Sequence, residues 1–339
     1  MNKIKIVFSP FDNQYNKYID LMKNAYGSFA DVAKFSVKNF FSHKNFVLNW
    51  YESRKFIKFI VVMLLLKITN KKIIWVMHNK LPHDTKNKFL SSLKMKIIAN
   101  FADKIIIHSK ISEKELKKIN DSPNFSAKIA YIPHPNYIET YGKIAENKIC
   151  GDKLKLLFFG MIKPYKNVEL LIDTFNELNL ENLELSIYGF AQKNYAKKLR
   201  EKIANNKNIK YDFGFIDDNK IPQIFAQNHI LATPYNLESA LNSGSVILAF
   251  SYKRTVLSPN NGTLSDIENK NMFFAYEYEN SRRHKEILKE KILDLYQNYS
   301  DDYNRLLELG KDCFEYAQKN NSPEKISEKL KVLFAEKSV

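Results

Sequence analysis

Residues 242–259 read NSGSVILAFSYKRTVLSP. The first four are small and polar, the middle suits a helix over 243–252, and the end, TVLSP (255–259), suits a buried strand. A helix that passes almost directly into a short β-branched strand is the repeating unit of a parallel sheet covered by helices. The polar step in front has two readings. Asn242 or Ser243 caps the helix by accepting from one of its free N–H groups. Alternatively, those N–H groups and the roughly half positive charge at the helix tip hold an anion.

The same alternation extends through the chain. Upstream lie the strand-like runs LKLLFFG (154–160), LELSIYG (183–189), IKYDFGF (209–215) and HILATPY (229–235), with helices near 167–178, 191–205 and 218–227. The first half repeats the pattern: strands KIKIVFSP (3–10), KNFVLNWYE (44–52), KKIIWVMHN (71–79), KIIIHS (104–109) and AKIAYIPH (127–134). Helices fall between them at 13–27, 53–69, 86–101 and 112–120. A polar stretch, YGKIAENKICGDK (141–153), separates the halves, and the chain beyond residue 283 is helical and charged, with a cap signal at Ser322-Pro323. This predicts an α/β protein of two tandem doubly wound, Rossmann-like domains with a cleft between them. The expected bounds are 1–145 and 150–315, with a final helix, 316–339, packing back toward the first domain. A length of 339 residues fits two such domains.

Charge is unevenly placed. Residues 1–150 hold 26 Lys/Arg against 11 Asp/Glu, whereas residues 151–339 hold 27 against 26. A general lysine enrichment would spread over both halves. The asymmetry points to an anionic partner of the first half: a lipid leaflet, a phosphorylated substrate or nucleic acid. Nucleic acid is disfavoured, because the lysines are not interleaved with stacking aromatics and no binding motif is present. The two cysteines, Cys150 and Cys313, form neither a zinc spacing nor a disulfide framework. No signal peptide is visible, so a cytoplasmic location is expected. The most apolar run, FIVVMLLLKIT (59–69), is too short to span a bilayer and reads as a buried helix, with membrane insertion as the alternative. The stretch 86–101 places Phe89, Leu90, Leu93, Ile97 and Phe101 on one face among lysines, which suits either an interfacial helix on anionic lipid or a plain surface helix.

Ligands of doubly wound sheets bind beyond the C-terminal ends of the strands. After strand 154–160, Gly160 permits a turn, and Lys163 and Lys166 project from the loop and the first helical turn. Asn242, Ser243, Gly244 and Ser245 open the helix after strand 229–235. Two lysines beside that helix tip suit a diphosphate. There is no Walker loop, no G-x-G-x-x-G and no Asp-x-Asp pair for a metal-bound nucleotide sugar. In the first half His78, His83, His108 and His134 follow the ends of three strands, a pattern that favours ligand contact over a zinc site, since no i, i+4 pairing is present.

Taken in order, FFGMIKPYKNVELLIDTF, SGSVILAFSYKRTVLSPNNGTLSDI, IIWVMHNKLPHD, ADKIIIHSKISEKEL and YIPHPNYIETYG resemble the GT-B glycosyltransferases, specifically the glycosyltransferase-family-4-like enzymes of bacterial surface-polysaccharide assembly. The resemblance covers nearly the whole chain. It implies a hexosyltransferase that uses a nucleotide-diphosphate sugar without metal or other cofactor, with retention of anomeric configuration. The acceptor would be a glycan, lipid-linked through polyprenyl diphosphate, in capsule, O-antigen (lipopolysaccharide) or exopolysaccharide assembly.

By the same resemblance Lys163 and Lys166 neutralise the donor diphosphate, Gly160 and Asn242–Ser245 receive it, and His78 stands near the donor sugar. Tyr188, Gly189, Phe215, Ile216 and Glu238 fall on the nucleoside side, and Asn13, His83, His108 and His134 on the acceptor side. Many relatives carry two glutamates ahead of the last strand; those places here are Ala240 and Leu248, which puts ribose recognition and the anomeric outcome in question. The alternatives are an epimerase of the same fold or a non-catalytic partner subunit. For a transferase acting on a lipid-linked glycan, the basic first half would meet the inner face of the plasma membrane as a peripheral protein.

Overall fold

The computed structural model describes residues 3–13, 16–80, 88–149, 152–237 and 241–335. In chain order the first half runs β1 (Ile4–Ser9), α1 (Tyr18–Gly27), β2 (Ala30–Lys34), α2 (Val37–Ser42), β3 (Asn45–Asn49), α3 (Phe56–Ile68), β4 (Lys72–Met77), α4 (Lys88–Phe101), β5 (Lys104–Ile107), α5 (Ile111–Lys117), α6 (Pro123–Ser126) and β6 (Ile129–Tyr131). The second half runs β7 (Leu154–Phe159), α7 (Val168–Leu178), β8 (Leu183–Tyr188), α8 (Lys193–Ile203), β9 (Ile209–Asp212), α9 (Ile221–Ala226), β10 (Ile230–Ala232), α10 (Gly244–Ser251), β11 (Thr255–Pro259), α11 (Gly262–Ser265) and β12 (Phe274–Tyr276). It closes with α12 (Ser281–Asn298), α13 (Arg305–Asn320) and α14 (Pro323–Ala335).

The chain divides into two compact units. The first comprises Met1–Pro135, Glu238–Asn242 and Asn320–Val339; the second comprises Asn136–Leu237 and Ser243–Lys319. Each holds one six-stranded sheet, ordered β2-β1-β3-β4-β5-β6 in the first and β12-β11-β10-β7-β8-β9 in the second. Every pairing is parallel. The central strands are apolar on both faces because helices cover both.

In the first unit, one face of the sheet packs Phe59, Met63 and Leu66 of α3 and Met95, Ile98 and Ala99 of α4. The other packs Ile19 and Met22 of α1 with Ile326 and Leu330 of α14. The last helix thus belongs to the first sheet, where Ser28 and Ser327 also meet in a short hydrogen bond. Its start follows the sequence signal: Ser322 Oγ accepts from the Lys325 amide at 3.3 Å, with Pro323 as the first helical residue.

Several elements depart from the sequence reading. The strands β2 and β12 and the short helices α2, α6 and α11 were not expected. The segment ADVAK lies at a sheet edge with Asp31 and Lys34 exposed, so it carries no apolar run to announce it. The reading of residues 59–69 as a buried helix is corrected: α3 buries only Phe59, Met63 and Leu66, and its opposite, equally apolar side is exposed. On α4 the inward face is Ser91, Lys94, Met95, Ile98 and Ala99, and Phe89 of the expected apolar stripe is exposed.

Candidate functional site

In the second sheet β7 lies between β8 and β10, so the chain winds one way through β7, β8 and β9 and the other way through β10, β11 and β12. The two windings part between the ends of β7 and β10, and such a switch point leaves a crevice beyond the strand ends. Gly160 ends β7 with φ +124°. A Cβ on it would lie 3.3 Å from Ser245 Oγ and 3.4 Å from Lys166 Nζ, so both polar groups converge above a residue whose missing side chain makes room for them. Tyr235, just beyond β10, completes the group. Its hydroxyl donates to Ser245 Oγ at 3.1 Å, and Lys166 Nζ stands 5.0 Å from its ring centre.

Lys163 precedes a 3-10 turn, Pro164–Lys166, and its carbonyl accepts from the Lys166 amide at 2.9 Å. Burial pushes the Lys166 ammonium below its ordinary pKa; Tyr165 opposes this and the neighbouring Lys163 adds to it. Among the described residues no carboxylate stands in ion-pair range of Lys166. A half-buried cation beside a helix N-terminus favours an anion as its neighbour.

Of the two readings weighed from sequence for the polar step at 242–245, the structure shows the cap. Ser243 is the cap: its Oγ accepts from the Val246 amide at 3.3 Å, and its own amide donates to Thr263 Oγ1 at 2.8 Å. Gly244 and Ser245 are the first two helical residues, whose amides have no intrahelical partner. Asn242 belongs to the first unit, where its amide nitrogen bonds the His78 carbonyl at 3.4 Å. Ser243→Ala is expected to destabilise the second unit by about 1 kcal/mol, measured as a shift in urea midpoint; an unchanged midpoint would show that the cap carries no load.

Of the nucleoside-side residues, Tyr188 and Gly189 end β8 directly beside Gly160: the Gly160 amide donates to the Tyr188 carbonyl at 3.0 Å. Phe215 presents an exposed ring, whereas Ile216 is buried and offers no side chain to a ligand. Glu238 lies outside the described residues, as does His83.

The first sheet has its own switch point, between β1 and β3. Asn49 at the end of β3 donates through Nδ2 to the Ser9 carbonyl at 3.4 Å, which turns its oxygen toward His78 Nε2 at 3.0 Å. His78 therefore carries its proton on Nε2 and keeps the Nδ1 lone pair. Its ring stacks on Trp50 with centroids 3.9 Å apart. His108 Nδ1 donates to the Ile132 carbonyl at 2.8 Å, so Nε2 accepts from the Tyr18 hydroxyl at 2.7 Å. Both nitrogens of His108 are thus used within the domain, which corrects the expectation that it faces an acceptor. His134 bonds the Pro135 carbonyl through Nδ1 at 2.9 Å. The Tyr18 ring lies 5.0 to 5.4 Å from all three imidazoles. Asn13 sits on the loop after β1, its carbonyl accepting from the Asn16 amide at 3.0 Å. Among the described residues no group of three or more His, Cys, Asp or Glu has the placement of a metal site.

Burial holds all three imidazoles neutral. His108 is pushed down to about 3 and His134 to about 4, and His78, flanked by the other two, falls well below its ordinary value. The unfolded chain binds protons on these groups from about pH 6.5 downward, and the native state does not. Their contribution to stability is therefore whole above pH 6.5 and lost as pH falls toward 3. His108→Gln is expected to make the fall of stability with acid shallower by one proton, about 1.4 kcal/mol per pH unit. Urea denaturation across the pH series reads this directly, and parallel slopes would reject the buried neutral imidazole.

Sequence reasoning passed over Tyr235, Thr263, Tyr18, Asn49 and Trp50. Four of these were legible as strand-end or cap positions: Tyr235 closes HILATPY, Asn49 and Trp50 close the KNFVLNW segment, and Thr263 follows the turn residues Asn260-Asn261-Gly262.

Comparisons with known proteins agree with this architecture. Residues 142–311, half of the chain, match the family described as Glycosyl transferases group 1. The chain is similar to GDP-mannose:glycolipid 4-beta-D-mannosyltransferase of Xanthomonas campestris pv. campestris, 23% identical over 227 residues, or 65% of this chain and 60% of that protein. It is also similar to an uncharacterized 41.2 kDa protein in the cps region of Klebsiella pneumoniae, 25% identical over 145 residues, 42% of this chain and 37% of that protein. The chain thus spans less than two thirds of the curated relatives it matches. Among solved structures, Anabaena Alr3699/HepE in complex with UDP-glucose superposes with a TM-score of 0.73 at 14% identity, covering 98% of this chain and 100% of that one. Two six-stranded parallel sheets of the GT-B type, the second carrying the matched segment, place the chain in the family of glycosyl transferases group 1.

Proposed function

We propose that the protein transfers a hexose from a nucleotide-diphosphate sugar to a glycan acceptor, and that the second unit holds the donor diphosphate above Gly160. The observation that carries this reading is Lys166: an ammonium at the sheet's switch point, beside the start of α10, without a carboxylate partner among the described residues. The amides of Gly244 and Ser245, Lys166 and Lys163 surround the diphosphate. Cleavage of the sugar–phosphate bond adds negative charge to the leaving group, and preorganised donors stabilise that charge without reorganising. Lysine and helix-tip charge suffice for this role, so turnover is proposed to survive a chelator, with retention of anomeric configuration.

In the first unit His78 offers an Nδ1 lone pair, with Nε2–H fixed on Asn49. Its depressed basicity suits it to orient a hydroxyl rather than to carry away a proton. Tyr188, Gly189 and Phe215 fall on the nucleoside side, with Glu238 beyond. The acceptor is proposed to be lipid-linked, as in surface-polysaccharide assembly. The glycolipid substrate in the name of the Xanthomonas relative supports this, and so does the charge of the first half, with which the protein would work at the inner leaflet. An acidic membrane surface attracts such segments by roughly 1 kcal/mol per Lys or Arg.

The test is thermal-shift screening with UDP, GDP, ADP and CMP, followed by transfer assays with the sugar of the stabilising base. A ligand that binds only the native state raises its apparent stability. A diphosphate that shifts the midpoint more than the matching nucleoside supports the site, and no shift with any of them overturns it. A second reading rests on Ala240 and Leu248 standing where many relatives carry glutamates: a partner subunit would bind the nucleotide and transfer nothing.

A further inference from the structure

The helix α3 reads FIKFIVVMLLLKI, and Lys58 and Lys67 are its only polar residues. Phe59, Met63 and Leu66 are buried against the sheet. On the opposite side Ile57 is 78% exposed, Val61 50%, Leu64 46%, Leu65 46% and Ile68 80%. Their spacing, i, i+4, i+7, i+8 and i+11, makes one continuous stripe along the helix. A helix that is apolar all round is normally covered all round, and an exposed stripe of this kind marks a contact surface. The neighbouring α2, which faces the same side of the sheet through Phe40, adds Val37 and Phe41, both largely exposed.

The charge around the stripe says what covers it. Residues 53–72 contain Arg54 and five lysines and no Asp or Glu. Residues 34–44 contain Lys34, Lys38 and Lys44, again with no carboxylate. Lys67 reaches Asp103 at 3.7 Å. An apolar strip framed by cations of one sign repels a second copy of itself and complements a surface with apolar depth and an anionic rim. Thirteen residues make a helix of about 20 Å, shorter than the roughly 30 Å hydrocarbon core, so the helix suits lying in the interface and not crossing it.

We infer that the outward stripe of α3 inserts into the headgroup–acyl boundary of an anionic bilayer and docks the first unit there. This rests on the reading that the basic half works at an acidic leaflet, and it names the element that enters the lipid.

The test uses the full chain with phosphatidylcholine vesicles, with or without phosphatidylglycerol. The wild type is expected to sediment with the anionic vesicles. The Ile57→Asn/Ile68→Asn double variant, unchanged in charge, should partition roughly tenfold more weakly. Both positions are about four-fifths exposed, and a thermal midpoint close to wild type confirms the fold. Ile68→Trp supplies a readout independent of lost binding: its emission should shift to the blue on anionic vesicles. Equal partition of the double variant, with no blue shift, overturns insertion and leaves the electrostatic reading standing. Absence of wild-type binding to any vesicle overturns both. A dimer in size-exclusion chromatography that the double variant dissolves would overturn lipid in favour of a second copy.

Discussion

Lys166→Ala is expected to lower turnover on the order of a hundredfold and to leave the fold intact. The size follows from what the ammonium does in the two states of the reaction. On the proposed reading it faces, before cleavage, a diphosphate whose charge the helix tip and Lys163 share. After cleavage the leaving group carries further negative charge, and a donor in a partly desolvated place is worth a few kcal/mol there. Stability should not suffer. Lys166 has no ion-pair partner among the described residues, and burial already disfavours its charged form. Removing it relieves a cost in the empty protein, and the unfolding midpoint should stay level or rise. The nucleotide-induced thermal shift should shrink in parallel with turnover. A Lys166→Ala enzyme with normal kcat and a full nucleotide shift would remove the donor site from this crevice.

Gly189→Ala is expected to cost about 3 kcal/mol or more, roughly 6–12 °C in unfolding midpoint for a unit of this size. Gly189 has φ +144°, and a Cβ there would sit 2.0 Å from the Gly160 carbonyl oxygen and 2.7 Å from its carbon. Backbone atoms cannot swing away as a side chain does. The ends of β7 and β8 would have to part, breaking the bond from the Gly160 amide to the Tyr188 carbonyl and shifting the turn that seats Lys166. Activity should therefore fall with stability. Gly27→Ala is the control: a Cβ at that position meets nothing within 4 Å and its midpoint should stay near wild type. If both variants melt alike, the two strand-end loops are not in contact.

The alternation of short apolar runs with amphipathic helices was enough to establish, from sequence alone, two parallel sheets covered by helices. Burial of a strand on both faces leaves a pattern that needs no partner's identity to be read. The helix at 244–251 and its serine cap were legible for the same reason, because capping is settled within four residues of chain. The resemblance supplied Lys163, Lys166 and Ser243 as a set, and tertiary structure brought Lys166 to Ser245 and Tyr235. No local rule connects residues so far apart in sequence, since the switch point that joins them depends on the order in which strands pair. The edge strand β2, polar on its exposed positions, had no apolar run to declare it.

Hydrophobicity alone says which surface of a helix can be buried and is silent on whether a neighbour exists to bury it. For α3 that question was decided only by the packing, which covers Phe59, Met63 and Leu66 and leaves the stripe from Ile57 to Ile68 facing outward. The three histidines follow the same logic: composition placed them at strand ends, and the partners Asn49, Tyr18 and the Ile132 carbonyl, drawn from distant segments, decided which ring nitrogens remain available to a ligand.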